Sequence, residues 1–237
     1  MNWMDRLSLF STLDYVAATV LFGGWIIIGY VIENPPRKYP SVSVLMAQYR
    51  REWLVQMITR DPRIFDAQIL ATLRQGTSFF ASATMIAIGG CFALFGNMER
   101  FIGVAKDLTL GADPRIVWEV KVLVLILFLA NGFLKFVWSN RLFGYCAVLM
   151  AAVPNEADNP LAAKRAAKAG EINITAAKSF NRGLRSVYFA LAATVWLLGA
   201  EALIVAAGLT CLVLLRREFA SHSRTVLMEP ESSGGTN

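Results

Sequence analysis

The stretch "IVWEVKVLVLILFLANGFLKFVW", residues 116–138, decides the fold class of this chain. Its charged side chains are confined to Glu119 and Lys121 near one end and Lys135 near the other. A helix of this length, at about 1.5 Å per residue, exceeds the roughly 30 Å hydrocarbon core of a bilayer. The stretch therefore predicts a membrane-spanning α-helix, and its lysines are expected to snorkel toward the interfaces.

Three further apolar stretches, at residues 15–32, 77–95 and 187–215, are each long enough to approach the width of that core. The whole chain is 56% hydrophobic and only 17% charged, which is unusual for a soluble protein. We therefore predict an all-α, polytopic membrane helical bundle with four apolar membrane regions. The first region is expected to remain as an anchor, because it has neither a basic leader nor a small-residue cleavage site.

The last apolar stretch admits two interpretations. As one helix, residues 187–215 would be about 43 Å long and would hold Glu201 near the middle, where a carboxylate costs at least about 2.5 kcal/mol. As a helical hairpin turning at "LGAEA", the stretch would place Glu201 at the outer surface and return Arg216 and Arg217 to the cytoplasm. We favour the hairpin, which gives five spans, and keep the single helix, which gives four, as the alternative.

The distribution of lysine and arginine predicts the orientation. The connections at about 33–76 and 139–186 each carry seven of these residues, whereas the N-terminal segment carries one. Basic connections remain in the cytoplasm, so the N-terminus is expected outside. The net charge of +6 is thus explained by topology, and no nucleic-acid partner is expected.

Both connections are expected to hold cytoplasmic helices. After a proline-rich break, one amphipathic helix would place its apolar residues at helical spacing. Asp61 as N-cap and Pro62 at the first helical position would then start a helix that continues into the second span. Residues 155–185, rich in alanine and lysine, favour a solvated or membrane-surface helix. The predicted apolar face of the first of these helices comprises Leu45, Met46, Tyr49, Trp53 and Met57.

We predict one membrane helical domain over residues 1–217, followed by a polar, disordered tail over 218–237. The only histidine, His222, lies in that tail, which excludes a histidine pair for haem and makes histidine-assisted nucleophilic catalysis unfavourable. The three cysteines are far apart and lack metal-ligand spacing. The sequence therefore predicts no catalytic residue, cofactor or metal site, and gives no positive evidence for an enzyme.

Two groups of residues are candidates for function. One would form a charged network at the cytoplasmic base, in which Arg50 and Arg74 find internal ion-pair partners. Those partners would be Asp61 and Asp66. The network candidates are Arg50, Arg51, Trp53, Asp61, Asp66, Arg74, Asn181, Arg182 and Arg185. The other group consists of polar side chains within the membrane regions, where such groups support a functional hypothesis by default. These are Asp14, Ser78, Ser82, Asn131, Lys135 and Glu201.

These candidates favour a non-enzymatic membrane component: a scaffold, an accessory subunit of a larger membrane complex, or a homo-oligomer that organises lipid. The arginine residues at the cytoplasmic end of the bundle would contact anionic headgroups or an acidic partner surface. The alternative is a transporter or channel for a small solute or ion that uses Asn131 and Glu201.

Three motifs carry a resemblance to a known family: "RREW" at residues 50–53, "AQILATLRQGTSFFAS" at 67–82 and "SFNRGLRSVYF" at 179–189. In this order and spacing the chain resembles a bacterial member of an uncharacterised family of integral membrane proteins, domain of unknown function 599. The resemblance covers roughly residues 15–217. It implies a multi-pass protein of the bacterial cytoplasmic (inner) membrane, and it implies no particular activity.

Overall fold

The computed structural model describes residues 8–100, 102–103 and 114–230, and this part of the chain is built from helices without any strand. Within these described ranges, three helices are long and apolar enough to cross a membrane: α1 (Thr12–Glu33), α3 (Ile64–Gly96) and α4 (Arg115–Ala151). The all-α class is confirmed, and these helices correspond to the first three predicted spans. The remaining helices are α2 (Val42–Gln56), α5 (Pro160–Thr194), α6 (Ala200–Phe219) and α7 (His222–Met228), with 3₁₀ turns at Met57–Thr59 and Val195–Leu198.

Local sequence signals fix where several helices begin. Ser11 caps α1: its hydroxyl accepts a hydrogen bond from the Asp14 backbone N–H, while the Asp14 carboxylate accepts one from the Ser11 N–H, both at 3.1 Å. This reciprocal arrangement satisfies two backbone donors at the helix end. Asn159 caps α5 by a single bond, in which its side-chain oxygen accepts from the Leu161 N–H at 3.0 Å, and Pro160 occupies the first turn, where the missing N–H costs nothing.

Helices α4 and α5 form a long antiparallel pair at the centre of the molecule. The Ser139 hydroxyl donates to the Ala176 carbonyl at 2.7 Å, and the Ser179 hydroxyl donates to the Lys135 carbonyl at 2.9 Å. A helix is confirmed over most of residues 155–185, but the prediction that it is solvated or lies at the membrane surface is wrong for the face of α5 that is buried against α4. Alanine, glycine and serine contribute little to an apolar pattern, yet they allow two helices to approach closely.

The chain reverses direction between α5 and α6. Gly199 has φ +135°, a backbone conformation that residues with a side chain rarely adopt. Gly199 separates α5 and its 3₁₀ extension from α6 and lies within the predicted "LGAEA" turn. Trp196, just before this break, donates its indole N–H to the Asp14 carboxylate near the start of α1 at 2.8 Å. Glu218, near the end of α6, accepts from Ser43, which lies beyond the end of α1. Helices α1 and α6 consequently run parallel, and α5 runs opposite to both.

Two hydrophobic clusters hold these helices together. The first surrounds Trp118, Phe128 and Phe189, where α1, α4, α5 and α6 meet. The second surrounds Leu54 and Phe143 and packs α2 against α4 and α5. We call the region around this second cluster the base of the molecule. Its core includes residues of α3, α4 and α5, so the base packs directly against these long helices.

The apolar face predicted for α2 is partly wrong. Leu45 and Met57 are buried, but Met46 and Tyr49 are exposed. Helix α2 packs on the part of α5 that carries Gly170, where an added Cβ would lie at an ordinary contact distance of 3.8 Å from the Cβ of Leu54. Burial on α2 therefore follows its contact with a glycine and alanine surface and does not follow side-chain hydrophobicity alone.

The predicted helix start at Asp61 and Pro62 is also wrong, because α3 begins at Ile64 with Arg63 in the cap position. The side chain of Arg63 donates to the carbonyls of Val153 and Pro154, each at 2.7 Å. These bonds hold the turn before α3 against the end of α4, and α3 begins only after this turn. Beyond that start, α3 runs without interruption to Gly96, as the sequence predicted.

The predicted start of the disordered tail, at residue 218, is too early in the sequence. Glu218 is buried in the last turn of α6, and its carboxylate accepts bonds from the Ser43 backbone N–H and hydroxyl at 3.0 and 2.9 Å. Helix α7 follows, with Ser221 as its N-cap. Residues 231–237 of the predicted tail lie outside the described part of the chain.

Candidate functional site at the base of the bundle

Glu33, the last residue of α1, is the centre of an ion-pair cluster. Its carboxylate is bound by the guanidinium groups of Arg182 and Arg185 from α5. The side chain of Arg185 is only 6% exposed and that of Glu33 is 18% exposed. A carboxylate at a helix C-terminus is unfavourable next to the helix dipole, so the two arginines compensate both the charge and its position. The network candidates Arg182 and Arg185 thus connect α5 to α1.

Asp66 anchors a second cluster at the start of α3 and is fully buried. Its Oδ1 accepts a hydrogen bond from the Trp53 indole N–H at 2.6 Å and an ion pair from Arg60. Trp53 and Asp66 are therefore brought together, but the predicted pairing of Asp66 with Arg50 or Arg74 is wrong. Arg60 lies in the turn that leads into α3 and reaches the first turn of that helix directly, whereas Arg50 faces α5.

The neighbouring residues Arg50 and Arg51 have different surroundings. Arg50 is half-buried and donates to the Asn173 side-chain carbonyl at 2.5 Å, and among the described residues it has no carboxylate partner. Burial lowers the pKa of Arg50. Arg51 is exposed and forms a 2.6 Å ion pair with Glu171, and its hydrogen bond lowers the pKa of that carboxyl group. One arginine of the "RREW" motif is thus neutralised, and the other is not.

The other network candidates lie apart from these clusters. Asp61 is exposed and has no ion-pair partner in the part of the chain that the structure describes. Arg74 is exposed and lines a cleft of about 340 Å³ together with Arg63. The Asn181 amide donates to the Ser43 hydroxyl at 3.4 Å, beside the carboxylate of Glu218.

A groove between α1 and the α4–α5 pair brings two intramembrane candidates together with the ion-pair cluster. Asn131 and Lys135 line it, and the Asn131 amide donates to the Ser186 hydroxyl at 2.6 Å. We call this feature the membrane groove; its volume is about 270 Å³. The full lining is Trp25, Ile26, Gly29, Glu33, Asn131, Lys135, Arg182 and Arg185.

The remaining intramembrane candidates are dispersed. Asp14 serves as capping residue and as acceptor for Trp196 at the opposite end of the bundle. Ser78 and Ser82 are exposed on α3, and Glu201 is exposed in the first turn of α6. The predicted polar set therefore does not form one pathway.

A larger cavity, which we call the basal cavity, lies between α2, α3, α5 and the α6–α7 junction. It encloses about 540 Å³ and has a predominantly apolar wall. Arg50, Lys178 and Asn181 contribute polar groups to this wall. The volume lies within the roughly 300–1,000 Å³ typical of small-molecule pockets.

Sequence reasoning missed the partners that complete these sites: Glu33, Glu171, Asn173 and Glu218. Three of the four are acids within or beside strongly basic segments. An acid in such a segment was the sequence feature that could have indicated an ion-pair partner. It also missed Lys121, which is 4% exposed and lies 5.4 Å from the Trp118 ring centre, so it does not snorkel. Within the described residues, no group of three or more histidine, cysteine, aspartate or glutamate side chains could hold a metal ion.

Comparison with known proteins places these features in a family. Neither a curated protein nor a solved structure matches the chain. A family model described as "Protein of unknown function, DUF599" matches residues 16–223, which include the base, the membrane groove and the basal cavity. The family predicted from the sequence is therefore confirmed, and the chain belongs to this family of unknown function.

Proposed function

We propose that this protein is a non-enzymatic, multi-pass membrane protein that binds and organises anionic lipids at the cytoplasmic leaflet. The observation that carries the proposal is the charge of the membrane groove. Three cations line the groove, Lys135, Arg182 and Arg185, against the single carboxylate of Glu33. Basic pockets between membrane helices on the cytoplasmic side are suited to lipid headgroups.

Lys135 is the residue of the groove that remains available for a ligand. It is half-buried and, among the described residues, has neither an ion pair nor a side-chain hydrogen bond, whereas both arginines are bound to Glu33. A cation in a partly apolar setting gains most from a negatively charged partner. Trp25 and Ile26 provide an apolar wall beside it, against which an acyl chain can pack.

The lipid proposal predicts a specific change in what co-purifies with the protein. After mild extraction, native mass spectrometry should detect a bound anionic phospholipid, and Lys135→Gln should reduce its occupancy at least about fivefold, because one headgroup contact is lost. Lys168→Gln, which alters an exposed lysine on the same helix pair but outside the groove, should leave occupancy unchanged. Equal occupancy in wild type and Lys135→Gln would contradict the proposal.

We also propose five passes through a bacterial inner membrane, with the N-terminus outside and the base in the cytoplasm. The parallel course of α1 and α6 and the break at Gly199 support an odd number of passes. Helix α6 has 20 residues and is about 30 Å long, matching the hydrocarbon core. The lysines and arginines of the base agree with a cytoplasmic location.

This topology predicts that single cysteines introduced at Ser11 and Ser221 react with an impermeant maleimide from opposite sides of the membrane. Wild type provides the background, because Cys91 and Cys146 are buried and Cys211 is partly buried. Reaction of both positions from one side would give an even number of passes and would contradict the proposal.

A protein partner, either a second copy or a larger membrane complex, is part of the proposal. Most of the membrane portion of α3 is uncovered within the chain, and its exposed surface includes Ser78 and Ser82. Small residues on a membrane helix favour close approach of another helix. The same native spectra would report self-association or stoichiometric partners.

The transporter alternative receives less support from the geometry. Asn131 is engaged with Ser186, and Glu201 is exposed near Gly199, on the side of the molecule opposite to the base. A pathway that used both would need polar groups between them. Liposome flux that disappears in Asn131→Leu and in Glu201→Gln would overturn the lipid proposal in favour of transport.

A further inference from the structure

We infer that the basal cavity binds an anionic amphiphile, a molecule with one acidic head and one apolar chain, and that Arg50 binds the head. This inference concerns a different site from the membrane groove and goes beyond the proposed function. It rests on the shape of the basal cavity, the character of its wall and the unneutralised charge of Arg50.

The wall of the basal cavity is suited to an apolar chain. Helices α1, α2, α3, α4 and α5 all contribute large aliphatic or aromatic side chains to it. They include Ile32, Val42, Leu73, Phe143, Ile174 and Phe180. Burial of an apolar chain against such a surface gains roughly 25 cal/mol per Å² of area removed from water. The chain therefore supplies affinity, and the polar groups of the cavity select the head.

Arg50 is the cation of the basal cavity for which an anionic ligand would supply the missing partner. Its guanidinium lines the basal cavity and is held on one side by the Asn173 amide at 2.5 Å. Arg50 is half-buried, and a cation that is partly removed from water without an anionic partner is unfavourable, since buried charges in proteins are normally paired. Planar donors of arginine match a carboxylate or phosphate, and they can bind it through two parallel hydrogen bonds.

The two carboxylates at the edge of the basal cavity do not neutralise Arg50. Glu33 is bound by Arg182 and Arg185, and Glu218 accepts from Ser43 and lies 3.6 Å from Arg217. Lys178, also in the wall, is exposed and has no ion pair among the described residues. Two of the cations that line the cavity, Arg50 and Lys178, thus have no ion pair among the described residues, and both carboxylates are already engaged.

The probe for this site is dodecanoate carrying a photoreactive diazirine near the end of its chain. The full-length protein is held in nanodiscs of phosphatidylcholine, which supply no anionic lipid. We expect saturable labelling, mapped by mass spectrometry to α2, α3 and α5, that excess dodecanoate abolishes. Dodecanol, which has the same chain without the acid, should compete at least about tenfold less well, because it cannot neutralise Arg50.

Two variants test the site independently. Arg50→Gln should weaken binding at least about tenfold, as expected for loss of a charge-assisted contact. Arg51→Gln is its matched control, since Arg51 is exposed and pairs with Glu171, and binding should be unchanged. Gly76→Leu fills the basal cavity from α3, where a Cβ would meet no atom within 4 Å, so it should block labelling without disturbing the helix.

A second competitor, lyso-phosphatidylglycerol, distinguishes a membrane lipid from a free acid as the source of the acidic head. If it displaces the probe as well as dodecanoate does, the basal cavity accepts a phosphate head from a membrane lipid. If only dodecanoate displaces the probe, the ligand is a free carboxylic acid. Three results would overturn the inference: no saturable labelling of wild type, equal labelling of wild type, Arg50→Gln and Gly76→Leu, or competition by dodecanol equal to that by dodecanoate. Lys135→Gln changes only the membrane groove, so it should label like wild type.

Discussion

Glu33→Gln should lower the free energy of unfolding by about 3–5 kcal/mol, because removing one partner of a buried ion pair leaves the other charge uncompensated. The stranded charge is Arg185, whose side chain is only 6% exposed. Arg182 loses the same partner, but its side chain is 49% exposed and water replaces the lost contact. Thermal unfolding in mild detergent, followed by circular dichroism, would measure the change.

The exposed pair of Arg51 and Glu171 is the matched control. Both side chains are more than half exposed, at 53% and 60%, so Glu171→Gln should cost at most about 1 kcal/mol. Adding Arg185→Gln to Glu33→Gln removes the stranded charge and should restore much of the lost stability. Equal losses in Glu33→Gln and Glu171→Gln would refute the role assigned to burial.

Gly183→Ala is the second change for which a large effect is expected. Gly183 lies where α5 crosses α4, and an added Cβ would stand 2.6 Å from Cε1 of Phe136, whose side chain is fully buried. Aromatic side chains in a filled core cannot move without displacing their neighbours, and overpacking of this kind costs roughly 1–3 kcal/mol. The measurement is again the unfolding midpoint in mild detergent.

Gly144→Ala is the control that distinguishes the effect of the clash with Phe136 from the general effect of replacing a helical glycine with alanine. Gly144 is also within a long helix, but a Cβ there meets no atom within 4 Å, so the substitution should be neutral or slightly stabilising. Phe136→Leu in the Gly183→Ala background should recover part of the stability, because the smaller side chain frees space beside the new methyl group. A Gly183→Ala protein as stable as Gly144→Ala would show that α4 and α5 are less tightly packed than described.

The features that sequence predicted well are those set by local pattern. Apolar runs identified α1, α3 and α4, because a bilayer core imposes a length and a hydrophobicity that few other elements share. The break before α6 was predicted because Glu201 stood in the middle of an apolar run that Arg216 and Arg217 followed, and in the structure Gly199 adopts a positive φ at this break.

The features that sequence missed depend on packing between distant segments. Arg51 and Glu171 are 120 residues apart, and their pairing follows from how α2 crosses α5, which local spacing does not encode. The same holds for Arg50, which was expected to pair with an aspartate close in sequence and instead contacts Asn173. Helix α5 was misjudged because its buried surface is made of alanine and glycine, residues that packing selects for size.

The contact between Ser43 and Glu218 has a consequence for the order in which the molecule can be completed during synthesis. These residues are 175 positions apart, and Ser43 leaves the ribosome long before Glu218 does. The base therefore stays open on this side until the last long helix has been made. A chain that stops before Arg216 would leave the Ser43 N–H and hydroxyl without this acceptor, so this corner of the base is completed only when α6 has been made.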